Sequence, residues 1–62
     1  MAAAFNIGDK VRVAKGVNRV LDGLRGVVIG VEQVNDHVYE YRVHISEEAP
    51  VHLYAFELEA VQ

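Results

Sequence analysis

The 62-residue chain contains no cysteine and no tryptophan, and it has one proline. Without cysteine it can form neither a disulfide nor a thiolate zinc site. A domain this short hides only about 60% of the surface that its unfolded chain exposes, so its core must be small. Yet 52% of its residues are hydrophobic and 24% are charged, which is more apolar surface than a small monomer easily hides. We therefore expect self-association, as a dimer or a tetramer.

Positive charge is also scarce. Six Lys and Arg residues stand against nine Asp and Glu, a formal net charge of −3. The basic residues are scattered along the sequence, which argues against binding to a phosphate backbone. No apolar run approaches the roughly 20 residues of a membrane span, and the first residues lack the charged region of a secretory signal. The sequence thus predicts a cytoplasmic protein without a membrane or nucleic-acid partner.

Alternation of apolar and polar residues predicts an all-β fold. The second strand is β-branched and bracketed by Gly26 and Gly30, a pattern that suits a sharp bend at a barrel corner. Five short strands in this spacing are typical of a small SH3-like barrel, and we expect a tail at residues 1–5 and the barrel domain at residues 6–62. The predicted strands are residues 10–14, 26–31, 37–45, 51–54 and 59–61.

Two connections are expected to be distinctive. Residues 15–24 hold several turn-forming residues and predict a long irregular loop after the first strand, with Val17, Val20 and Leu21 tucked beneath it. Such a loop in a short domain is usually functional or interfacial. Residues 55–58 are too few for a lasting helix and predict a 3₁₀ turn before the last strand, which would deliver Phe56 and Leu58 to the core.

The third and fourth predicted strands should form a hairpin. With a loop of residues 46–50, Ile45 would pair with Val51, His44 with His52, and Arg42 with Tyr54. These four polar or aromatic residues, Arg42, His44, His52 and Tyr54, are the candidate binding residues. His44 and His52 would lie about 4.5–5.5 Å apart and are candidate metal ligands. The alternative, which we favour, is two half-exposed histidines on a solvated or interfacial face.

Three segments carry a family resemblance. Residues 5–12 resemble the opening of the plasmid-borne type II dihydrofolate reductases, where an aromatic and an aliphatic residue precede Gly-Asp, a basic residue, Val and Arg. Residues 26–30 match that family's glycine-bracketed second strand, and residues 51–54, Val-His-Leu-Tyr, resemble its Val-Gln-Ile-Tyr strand. More broadly, the pattern is similar to SH3-like electron-transport accessory proteins such as the photosystem I E subunit.

The resemblance implies a homotetramer whose central pore binds NADPH and dihydrofolate together. In that family the Val-Gln-Ile-Tyr strand lines the pore, which here would be His52, Leu53 and Tyr54. A lysine after the first strand attracts the anionic ligands, but this chain has Val13 there, and Lys15 lies two residues beyond. Histidine in place of glutamine and valine in place of lysine are departures at functional positions, and lost positive charge weakens a site for two anions.

These observations leave three classes of function. The leading one is a non-catalytic SH3-like interaction or assembly module that needs no cofactor and binds itself or a protein partner. A type II reductase-like enzyme using NADPH is the alternative. The third is a nucleic-acid-binding barrel, suggested by the Gly-Asp-Lys-Val-Arg opening of residues 8–12 and disfavoured by the acidic charge.

Overall fold

A computed structural model of the chain describes residues 4–47 and 49–61. Its elements are all strands apart from one short 3₁₀ turn, so the predicted all-β class, the long loop after the first strand and the turn before the last are confirmed. Residues 1–3 of the predicted tail, Glu48 of the predicted hairpin loop and Gln62 lie outside the described residues. The elements are β1 (Lys10–Val13), β2 (Arg25–Asn35), β3 (Val38–Ile45), β4 (Val51–Tyr54), the 3₁₀ turn (Ala55–Glu57) and β5 (Leu58–Ala60).

The five strands form one antiparallel sheet in the order β4-β3-β2-β1-β5. The two edge strands are short, with four residues in β4 and three in β5. In the described ranges no strand pairing joins these edges, so the sheet is open, whereas the sequence led us to expect a barrel. Because β4 and β5 are so short, few backbone hydrogen bonds could join them and close the sheet into a barrel.

One face of the sheet carries the whole buried core. The first strand behaves as predicted, because Val11 and Val13 are 0% and 1% exposed. Alternation continues across the sheet, and every paired inward position meets an inward position on the next strand. The remaining buried side chains are Val28, Tyr41, Val43, Ile45, Leu53 and Leu58.

Strand β2 is longer than predicted and is bent by two irregularities. The pairing with β3 shifts between Val28 and Gly30 and again between Gln33 and Asn35, so Ile29 and Val34 are extra residues of β-bulges. Bulges re-aim the side chains beside them, and both of these aliphatic residues are exposed, by 39% and 53%. The first bulge turns Ile29 onto the face opposite the core.

The predicted tail is partly fastened to the core. The Phe5 ring meets the buried Tyr41 ring edge to face, with centroids 5.4 Å apart. The Tyr41 hydroxyl also accepts hydrogen bonds from the backbone N–H groups of Ala4 and Phe5, at 2.8 and 3.4 Å. The hydroxyl of this buried tyrosine therefore has its hydrogen-bond partners in the segment that precedes β1.

The long loop is organised around one carboxylate. Asp22 accepts hydrogen bonds from the backbone N–H groups of Gly16, Val17 and Asn18, at 2.9, 3.1 and 2.9 Å. These bonds, chiefly that from Asn18, lower the pKa of Asp22 below its ordinary value. Val17 and Leu21 pack against the core as expected.

Two apolar residues that we predicted to be inward point to solvent instead. Val20 is 79% exposed, because its N–H is held by the Asn18 side chain at 2.8 Å while its neighbours take the places under the loop. Phe56 is 82% exposed, and its ring stacks on Tyr54 with centroids 5.8 Å apart. Leu58, directly after the tight 3₁₀ turn, is buried in the core as predicted, and Ala55 at its start packs against the core.

Candidate functional site

The β3–β4 hairpin has a different register from the one predicted. Arg42 pairs with His52, and Val43 with Val51, so the pairing is shifted by two residues and the predicted His44–His52 pair was wrong. His44 lies instead opposite Val27 of β2. The two histidines are diagonal neighbours on one face, at a spacing of about 7–8 Å rather than face to face. Within residues 4–47 and 49–61 no three His, Asp or Glu side chains are grouped so that they could hold a metal ion.

The face opposite the core, which we term the outer face, carries an open groove of about 350 Å³. It crosses β2, β3 and β4 where β2 bends, and the turn before β1 contributes Ile7 as its apolar wall. Its volume falls at the lower end of the range of small-molecule sites. The groove is lined by Ile7, Ile29, Gly30, Val31, Glu32, Glu40, Arg42 and His52.

An imidazole–carboxylate contact lies in this groove. The Nδ1 atom of His52 is 3.0 Å from Oε1 of Glu40. A carboxylate can only accept a hydrogen bond, so Nδ1 carries the proton in this contact. The contact orients the ring of one predicted binding residue and uses the carboxylate of a residue that the sequence did not single out.

Arg42 occupies the middle of the groove because the opposite residue on β2 has no side chain. A Cβ atom built on Gly30 would meet the guanidinium of Arg42 at 3.0 and 3.1 Å. The guanidinium of Arg42 therefore lies over the glycine, in the groove that Ile29, Glu40 and His52 also line. In the described part of the chain its guanidinium forms no ion pair.

The residues implied by the reductase resemblance are not brought together. Lys15 lies in a second groove, with Arg12, Gly23 and Glu59, rather than beside His52. Val13 and Leu53 are buried in the core at 1% and 6% exposure, so neither side chain faces a ligand. Tyr54 lies beside the outer groove, where it stacks on Phe56.

Strand pairing places residues of like charge opposite each other on the outer face, although the basic residues are scattered in the sequence. Arg12 lies directly opposite Arg25, and Lys10 is two residues from Arg12 on the same face. At the other end, Glu32 lies directly opposite Glu40. Like charges directly opposed on neighbouring strands destabilise a sheet. Strand pairing thus brings together charged residues that are distant in the sequence.

In each like-charge pair, one residue has a side-chain partner in the described part of the chain and the other has none. Arg12 forms a 3.0 Å ion pair with Glu59, but Arg25 has no carboxylate partner in residues 4–47 and 49–61. Glu40 contacts His52, whereas Glu32 has no cationic partner in the same ranges. Arg25 and Glu32 thus have no ion-pair partner in the described residues, and the same is true of Lys10 and Arg42 on this face.

Several groove residues escaped sequence reasoning. Glu40 alternates with Arg42 and was placed on the polar face of its strand, but only the observed register brings it to His52. From the sequence alone, Ile29 could face either side of the sheet, and only the bulge turns it outward. A signal for the bulge existed in the adjacent Gly30.

The fold and groove define a small all-β domain with an open five-stranded sheet and an amphipathic outer face. Comparison with protein-family models, curated proteins and solved structures found no match to this chain. No helix in the described residues is long and apolar enough to cross a membrane.

Proposed function

We propose that this chain is a non-catalytic SH3-like interaction module that associates with itself through the outer face of its sheet. One observation carries the proposal: Ile7 and Ile29, 68% and 39% exposed, wall a groove that also holds the unpaired Arg42. Exposed aliphatic side chains around an anchoring arginine, with charged residues at the margin, are the composition of protein interfaces. The hydrophobic fraction of 52% also favours burying apolar surface in an interface.

The SH3-like part of the proposal is supported by the succession of elements. Five strands, a long loop after β1 and a 3₁₀ turn that leads from β4 into β5 follow one another along the chain. A cytoplasmic location belongs to the same proposal, because a domain of this size without any cysteine suits a reducing compartment. Cell fractionation with a tagged chain tests the location.

A non-catalytic role is proposed because the groove lacks the charge that two anionic ligands need. Glu32 and Glu40 stand beside Arg42 in the groove, and Lys15 lies in a different groove. We expect no NADPH oxidation that depends on dihydrofolate. Such oxidation, lost in a His52→Ala variant, would replace the interaction module with the reductase as the best description.

Self-association is tested by sedimentation velocity and light scattering over a range of protein concentrations. We expect a mass above that of the monomer, and we expect Ile29→Ser to shift the equilibrium toward monomer. The matched control is Val34→Ser, since both residues are exposed bulge aliphatics of β2 but only Ile29 lines the groove. A monomeric wild-type chain at every soluble concentration would overturn the proposal.

A further inference from the structure

Two of the outer-face charges that lack an ion-pair partner, one of each sign, lie on the same strand. Arg25 and Glu32 both lie on β2, seven residues apart, and each is directly opposite a residue of its own sign on a neighbouring strand. Both side chains are exposed. Within residues 4–47 and 49–61, neither has a partner of opposite charge. A partner for this face should therefore supply a carboxylate to Arg25 and a cation to Glu32.

A second copy of the chain supplies both at once. Two-fold symmetry makes contacts reciprocal, so that if Arg25 of one protomer reaches Glu32 of its partner, the reverse contact forms as well. The midpoint between these two residues along β2 falls at residues 28–29. The symmetry axis would thus pass beside Ile29, the exposed aliphatic residue of the groove.

Building on the proposed self-association, we propose that two copies pack outer face to outer face, with their β2 strands antiparallel across a two-fold axis near Ile29. Ile29 meets its symmetry mate at the centre, with Ile7 beside it. Arg25 and Glu32 form reciprocal ion pairs at the two ends. This arrangement has an apolar centre and a charged rim, the usual anatomy of an interface.

A second copy fits this face better than a phosphate polyanion does. Lys10, Arg12 and Arg25 would favour phosphates, but Glu59 neutralises Arg12, and Glu32 and Glu40 on the same face repel them. The chain itself carries a net charge of −3. The face is complementary to its own inverted copy rather than to a ligand of one sign.

Charge reversal at the two rim positions tests the inference. We expect Arg25→Glu and Glu32→Arg each to raise the dimer dissociation constant at low salt by about tenfold, since two contacts become repulsive. An equimolar mixture of the two variants should associate, because every rim contact is then between opposite charges. The double variant, Arg25→Glu with Glu32→Arg, should return to within about threefold of wild type for the same reason.

The same variants report on folding independently. Glu at position 25 faces Arg12 and Arg at position 32 faces Glu40, so each substitution relieves a like-charge pair within the sheet. The midpoint of thermal unfolding of the monomeric variants should therefore be unchanged or higher than that of the wild type. A loss of association in these variants then cannot be explained by unfolding. Arg19→Glu, at an exposed loop residue that does not line the groove, is the control with the same change of charge and should leave association unchanged.

The outcomes separate the two proposals. A wild-type chain that never exceeds monomer mass overturns self-association and this geometry together. A wild-type dimer whose dissociation constant is unaffected by Arg25→Glu and Glu32→Arg, or whose variants fail to associate when mixed, overturns only the geometry. Self-association through another surface would then stand.

Discussion

Gly26 is a position where one added methyl group should have a large effect. A Cβ atom built on this glycine would lie 2.5 Å from the backbone oxygen of His44 and 2.8 Å from Cγ1 of Val43. The oxygen belongs to the β2–β3 ladder, and Val43 is only 1% exposed. Neither atom can move away alone. Relieving the closer contact means separating two paired strands by about half an ångström, in a core packed at crystal-like density.

We expect Gly26→Ala to lower the free energy of unfolding by about 2–3 kcal/mol, the upper part of the range for overpacking. For a domain of this size each kcal/mol shifts the thermal midpoint by about 4–8 °C. The loss is a large part, about 40% or more, of the roughly 3–5 kcal/mol that so small a core supplies. The midpoint should therefore fall by about 10–20 °C.

The matched variant is Gly30→Ala, which meets a side chain rather than the backbone. Its added Cβ would lie 3.0 Å from the Arg42 guanidinium, which can swing away. Alanine also loses less backbone entropy than glycine in a strand, by about 0.5–1 kcal/mol. We expect Gly30→Ala to be neutral or slightly stabilising. Urea unfolding followed by far-ultraviolet circular dichroism, at one protein concentration because association is linked to stability, measures both. A Gly26→Ala variant as stable as wild type would refute the reasoning.

Two further predictions concern single hydrogen-bonding groups. Because its backbone hydrogen bonds lower the pKa of Asp22 in the folded state, the stability it contributes is full above the ordinary aspartate pKa and is lost as pH falls through the lowered value. Asp22→Asn should therefore be less stable than wild type at pH 7, with the gap closing in acid; a gap that widens in acid contradicts this. Tyr41→Phe removes the acceptor for two backbone N–H groups and should cost about 1 kcal/mol in urea unfolding. Tyr54→Phe, whose hydroxyl has no hydrogen bond within the described residues, is its control, and equal losses in the two variants would refute the role of the Tyr41 hydroxyl.

The sequence predicts the faces of the strands well because alternation is a strictly local signal. Val11, Val13, Tyr41 and Val43 are all buried where the period of two places them. The hairpin register was wrong by two residues for a related reason. A shift of two leaves every inward residue inward, so hydrophobic pattern cannot distinguish the two registers. In the structure Ile45 pairs with Gly26 of β2, and β4 begins only opposite Val43.

The features that define the groove depend on contacts between distant segments. Arg12 and Arg25 are separated by the long loop, which folds back so that the two strands pair, and no local pattern reveals that they face each other. The outward turn of Ile29 needs a bulge, and a bulge is decided by the competition of two strands for register. Phe56 was misplaced because hydrophobicity predicts burial only where the backbone can direct the side chain inward.

The most direct test of the central claim is a dilution series of the ¹⁵N-labelled wild-type chain, followed by nuclear magnetic resonance. If the outer face is the self-association surface, the amide signals that shift with concentration should come from residues 25–32, from Arg42 and from His52, while the loop of residues 15–24 remains unchanged. Concentration-independent spectra, or shifts confined to that loop, would contradict self-association through the outer face.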